Sequence, residues 1–217
     1  MATIRTGVLG SAFDPPHYAH AAMAILALEC GEIDELWLCP SPARWDKTPV
    51  ASLELRVRWS ELFAEAMESM GYRVLVSTEE LQQGVFRGSY LFFSKLKESF
   101  PTREFFPIVG RDSWDSIPLW RDPVTATFNG HEMLRDFSFL VTPRIDGTDR
   151  SSEDVPFPHK QLPSLLDMEQ RFQALFKTQQ VATLSSSAIR ESLHKEENIH
   201  FCFDDVEKDI LKNNPYR

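Results

Sequence analysis

Cysteine is scarce and unpatterned in this chain: Cys30, Cys39 and Cys202 are the only three among 217 residues, and no two form a C-x-x-C pair. An odd, widely spaced set excludes a disulfide framework and a cysteine-based zinc cluster, and it fits a reducing compartment. No apolar run approaches the length that crosses a bilayer, and no charged segment followed by an apolar stretch opens the chain. A soluble, unexported, cytoplasmic protein is the expectation. Basic clusters are missing as well. The 23 lysines and arginines are scattered among 32 acidic residues, for a formal charge of −9, which excludes nucleic acid and the membrane surface as expected partners. Any anion site must therefore be local. Repeats and low-complexity tracts are also lacking.

What is present is enough apolar material, 42% of residues, for one well-buried core. One domain over 1–217 is expected, with a helical part from about 187 to 217 packed on it. Short β-type runs fall at Ile4 to Leu9, Glu35 to Cys39, Arg73 to Ser77, Phe105 to Val109, Phe137 to Thr142 and Gln180 to Leu184. Helical patterns lie between most of them, and that alternation predicts a doubly wound α/β fold with a mostly parallel sheet. Between Ser52 and Met70, Leu55, Trp59, Leu62, Phe63, Ala66, Met67 and Met70 recur at helical spacing, and Gly71 stops the helix. Pro143 to Pro163 reads as a long polar loop, and Leu165 to Phe176 as a helix.

Gly10-Ser11-Ala12-Phe13-Asp14-Pro15-Pro16-His17-Tyr18-Ala19-His20 follows the first strand and opens a helix. Prolines suit a helix start, and Asp14 reads as its N-cap. His17 and His20 then share one face near the positive end of the helix dipole, beside free backbone N–H groups. Two imidazoles there suit an anion and charge that develops on it. A zinc pair is the weaker alternative, because helical zinc ligands more often stand four apart and no further Cys or His lies near in sequence. His131-Glu132 begins like H-E-x-x-H, but Arg135 takes the place of the second histidine, so no zinc-protease site is expected and the segment reads as a surface insertion. Two other segments place polar residues at strand ends. Leu184 to Arg190 sets serines at a helix start with Arg190 on the face of Ser187, and Gly110-Arg111-Asp112 ends a strand with a glycine and a carboxylate suited to ribose.

The first segment resembles G-[GST]-[ST]-F-D-P-x-H-x-G-H of the HxGH nucleotidyltransferase superfamily, here His17-Tyr18-Ala19-His20, with Ala19 for glycine and Ala12 where Ser or Thr is usual. Leu184 to Arg190 is similar to that superfamily's I-S-S-T-x-I-R, with Ser187 in place of Thr. Gly110 through Trp114 to Trp120 resembles the G-x-D-x-L-x-x-(F/L)-P-x-W stretch of nicotinate mononucleotide adenylyltransferases, although ordinary core packing suits at least one of the two tryptophans better. Pro40 and Arg44-Trp45-Asp46-Lys47 fall in register with that family's P-x-x-x-P-P-H-K, of which only Lys47 matches cleanly. Ser89-Tyr90-Leu91 stands where the family reads S-Y-T.

The resemblance implies a Rossmann-like fold and transfer of an adenylyl group from ATP to a pyridine mononucleotide. It assigns the chemistry to His17, His20, Lys47 and Arg190. ATP falls to Gly10, Ser11, Phe13, Gly110, Asp112, Ser186, Ser187 and Arg190, and the mononucleotide to Ser11, Lys47, Tyr90 and Trp120. Mg²⁺ is implied as a companion of ATP, held by phosphate and water rather than by protein side chains. Asp46 and Leu91 imply weak discrimination between nicotinate and nicotinamide. The alternatives are nucleotidyl transfer to another phosphate monoester, such as phosphopantetheine or a polyol phosphate, and a nucleotide-sensing protein without turnover. Monomer and homo-oligomer both stay open.

Overall fold

The computed structural model describes residues 3–44, 48–83, 86–143, 158–178 and 181–217. Among the described residues six strands form one sheet: Ile4–Ser11 (β1), Glu35–Pro40 (β2), Val74–Val76 (β3), Arg103–Gly110 (β4), Phe139–Thr142 (β5) and His159–Gln161 (β6). Their order is β3-β2-β1-β4-β5-β6, and every neighbouring pair is parallel. Eight α-helices among the described residues flank it: Tyr18–Glu29 (α1), Leu53–Ser69 (α2), Ser89–Ser99 (α3), Arg111–Ser116 (α4), Gly130–Asp136 (α5), Glu169–Phe176 (α6), Ser186–His194 (α7) and Asp204–Asn213 (α8). No described helix is long and apolar enough to cross a membrane.

The period-two geometry of a strand sorts the apolar residues into two cores. Leu9, Leu36, Leu38, Ile108 and Leu140 point to the side covered by α1, α2 and α6 to α8. Val8, Trp37, Cys39, Phe105 and Val141 point to the side covered by α3 to α5. Both faces are apolar, as a parallel sheet requires. Helix α1 carries Ala21, Ala22, Ala24, Ile25 and Ala27 at essentially no exposure, because it lies between the sheet and an outer layer of helices. Strand order reverses between β1 and β4, and the carboxyl ends there leave a crevice for ligands.

Helix α2 keeps its expected ends. Ser52 accepts from the Leu55 N–H at 3.3 Å, and Gly71, with φ of 90°, turns the chain away. Three expectations are corrected. The sixth strand is His159–Gln161, inside the segment read as a loop, and 181–184 form a turn; Gln180 lies outside the described residues. Glu169 explains the turn, since its carboxylate accepts from the N–H groups of Val181 and Ala182 that a strand would have given to a neighbour. Helix α5 is no surface insertion either. Met133 and Leu134 are buried, and a Cβ on Gly130 would overlap the carbonyl of Ile117. Finally, α1 starts at Tyr18 with His17 as N-cap, so Asp14 does not cap it.

Candidate functional site

Two hollows open at the carboxyl ends of the strands. One, about 350 Å³, is lined by Gly10, Ser11, Arg44, Phe86, Ser89 and Trp120. The other, about 530 Å³, is lined by His17, Asp112, Thr142, Leu165, Ala182 and Leu184. His20, Met23 and Gly110 line both, so His20 stands at the border between them.

The two histidines are fixed by the start of α1. The backbone N–H of His17 donates to Nδ1 of His20 at 3.2 Å, and the ring centroids are 3.9 Å apart. A nitrogen that accepts carries no proton, so neutral His20 holds its proton on Nε2, which faces the Ser11 hydroxyl at 3.3 Å. Phe13 makes an edge contact with the His20 ring, 5.0 Å between centroids, and its buried side chain lines neither hollow. Burial, and secondarily the neighbouring His20, hold the pKa of His17 well below the usual histidine range. Among the described residues His17 Nδ1 and, at the end of β5, Thr142 Oγ1 are buried polar atoms with no hydrogen-bond partner. Both residues line the second hollow, where a ligand could satisfy them.

Helix α7 is sewn to the loop before α1. Ser185 caps it by accepting from the Ala188 N–H, Ser186 Oγ donates to the Pro15 carbonyl at 2.9 Å, and Arg190 Nη1 donates to the Asp14 carbonyl at 2.7 Å. Arg190 Nη2 donates to Ser187 Oγ at 3.1 Å. Arg190 and Ser187 thus share a face as expected, but the Ser186 hydroxyl is engaged by protein. The Asp14 carboxylate accepts from Val50 and Ala51 N–H and from the Tyr216 hydroxyl.

The structure separates the two tryptophans. Trp114 is 4% exposed and packs against Phe139, whereas Trp120 lines the first hollow and donates to Ser116 Oγ at 3.1 Å. Tyr90 is not brought to that hollow: its hydroxyl donates to Asp136 of α5, and with Leu91 it borders a separate depression near Phe128. The side chain at 91 therefore gives no geometric ground for weak discrimination. Lys47 and Asp46, with Trp45, lie outside the described residues. Asp112 is exposed in the first turn of α4, directly after Gly110.

Sequence reasoning missed Arg44 and Phe86, which stack with the guanidinium 5.0 Å from the ring centroid and enclose the first hollow. It also missed Glu80, 7% exposed beside the same space, whose pKa burial pushes up to about 7 against the pull of Arg44. Arg44 stands in a matched segment that gives it no role, and no local motif marks Phe86 or Glu80. Thr142 had a signal, since it ends a strand level with Gly110.

A family model described as cytidylyltransferase-like matches residues 8–192. The chain belongs to the cytidylyltransferase-like family. Within it, a protein of Albidiferax ferrireducens named "probable nicotinate-nucleotide adenylyltransferase" is 38% identical over 120 residues, 54% of this chain and 58% of its own length. Proteins of the same name from Bacteroides thetaiotaomicron and Shouchella clausii are 29% and 28% identical, over 65% and 98% of this chain. The chain spans 58% and 65% of the Albidiferax and Bacteroides proteins, and 96% of the Shouchella one. Among solved structures, the nicotinic acid mononucleotide adenylyltransferase of Plasmodium falciparum in complex with NaAD superposes with a TM-score of 0.76. Its identity is 20%, covering 98% of this chain and 97% of that one, so the likeness is one of fold. The same enzyme in complex with APC gives 0.72 at 18% identity, again over 98% and 97% of the two chains.

Proposed function

We propose that this member of the family transfers the adenylyl group of ATP to a pyridine mononucleotide, preferentially the nicotinate form, and releases pyrophosphate. The position of His20 carries the reading. A reaction that joins two nucleotides through a new bond to the α-phosphorus brings both phosphates to one place, and His20 lines both hollows. The names of the relatives support the same activity.

In this mechanism an oxygen of the mononucleotide phosphate attacks the α-phosphorus of ATP in line, and the bond to pyrophosphate breaks. A phosphate monoester is anionic near neutrality, so no general base is required, and positioning and charge stabilisation carry the rate. His20 contributes the Nε2–H. His17, buried and neutral, supplies a polar edge to the nucleotide hollow. Arg190 uses two of its five N–H groups on the Asp14 carbonyl and the Ser187 hydroxyl and lines neither hollow, so its role here is to offer its other N–H groups to the phosphates of a bound nucleotide. Lys47 adds a second cation. Ser186 contributes through the α7 amides rather than its hydroxyl, and Gly110 and Asp112 address ribose. Arg44, beside Trp120 in the first hollow, meets the pyridine carboxylate.

Mg²⁺ would arrive on the triphosphate and supply charge neutralisation. The buried Asp14 carboxylate, filled by protein donors, would not hold it. Incubation with Mg-ATP and a panel of phosphate monoesters tests the proposal. Pyrophosphate should form with nicotinate mononucleotide; formation only with phosphopantetheine or a polyol phosphate would move the reading to that substrate.

A further inference from the structure

Tyr216 follows α8 and lies 202 positions from Asp14, yet its hydroxyl donates to Asp14 Oδ1 at 2.9 Å. The residue is 7% exposed, its ring lies 6.2 Å from that of Trp59, and its carbonyl meets His194 Nδ1 of α7 at 3.2 Å. Burial and the facing carboxylate raise its ionisation far above the usual range, so it is a permanent donor. Asp14 is a hub. Oδ1 also accepts from the Ala51 N–H at 3.0 Å, Oδ2 accepts from Val50 N–H at 2.8 Å, and Arg190 Nη1 stands 3.6 Å from Oδ2 while bound to the Asp14 carbonyl.

We propose that Tyr216 is a positioning residue for the nucleotide site, acting through Asp14 on Arg190. The inference rests on the reading of Arg190 as a phosphate ligand. With the tyrosine hydroxyl in place, three donors orient the carboxylate, and Arg190 is held by the Asp14 carbonyl and the Ser187 hydroxyl. Without it, one oxygen of a carboxylate 2% exposed loses a partner. The nearest cation able to compensate is Arg190, 3.6 Å from the other oxygen, Oδ2, and a carboxylate freed from the tyrosine can turn toward it and draw the guanidinium off the phosphate. Tyr216 thus keeps this ion pair at its present length.

Titration calorimetry with Mg-ATP alone, without a second substrate, tests this on wild type, Tyr216→Phe, Arg190→Ala and the double variant. Tyr216→Phe keeps the buried ring and is expected to weaken ATP binding about tenfold, the scale of one hydrogen bond to a charged group. In the Arg190→Ala background the same change should have no further effect, which a merely structural tyrosine would not produce. Unchanged affinity in Tyr216→Phe, or losses that multiply in the double variant, overturns the proposal. If Tyr216→Phe does not fold, Asp14→Asn alone and with Arg190→Ala decides by the same criterion. Wild-type protein that binds no ATP overturns the reading of the site itself, and the positioning role with it.

Discussion

The backbone N–H of His17 donates to Nδ1 of His20, so the ring at the border of the two hollows is oriented by the residue that caps its own helix. Such a bond survives only while Nδ1 is unprotonated, and it keeps the proton on Nε2, at the Ser11 hydroxyl. His20→Ala should therefore lower kcat by roughly 100-fold or more while ATP affinity changes little, because the lost donor strengthens in the transition state. Comparing turnover with ATP binding checks this. Near wild-type turnover would remove His20 from the chemistry.

Trp114 and Trp120 should separate cleanly in mutagenesis. Trp114→Ala opens a cavity in the core beside Phe139 and is expected to cost about 3–5 kcal/mol in stability. Trp120→Ala, at the wall of the first hollow, should raise KM for the mononucleotide with a smaller change in Tm. Melting curves and kinetics on both variants make the comparison, and a reversed pattern would mean that the hollow is not the mononucleotide site.

Glu80 gives the site a pH signature in stability. Burial raises its pKa from an ordinary 4.5 to about 7, opposed in part by Arg44, so the folded protein favours the protonated carboxyl. A raised folded pKa means the contribution is fully present below pH 4.5 and is lost as pH rises through 7. The shift corresponds to about 3 kcal/mol at most. Glu80→Gln should accordingly gain stability relative to wild type at pH 8 and lose that advantage at pH 5. Denaturant titrations at the two pH values test it; a difference independent of pH would show that Glu80 ionises freely in the fold.

Much of this architecture is legible in the sequence where local chemistry decides. Ser52 and Gly71 bracket α2, the alternation of Val8 with Leu9 and of Trp37 with Leu38 sets two sheet faces, and Ser187 with Arg190 is a helix-face pair readable from spacing. Where distant partners decide, local reading fails. His159–Gln161 is a polar edge strand without a hydrophobic pattern, and Val181 to Leu184 looks like a strand until Glu169 takes its amides. Asp14 has the sequence context of a cap, but the Val50, Ala51 and Tyr216 donors that claim it are close only in the fold. The Arg44 and Phe86 stack likewise joins two loops that no motif connects.

In the proposed reaction the α-phosphate of ATP ends on a mononucleotide phosphate bound across His20. ATP carrying a radiolabel on its α-phosphate, incubated with Mg²⁺, the protein and nicotinate mononucleotide, tests it most directly. The label should move entirely into a dinucleotide, with unlabelled pyrophosphate as the other product, and the transfer should collapse in His20→Ala. Label that stays in ATP, or that appears in ADP or free AMP, would contradict the account.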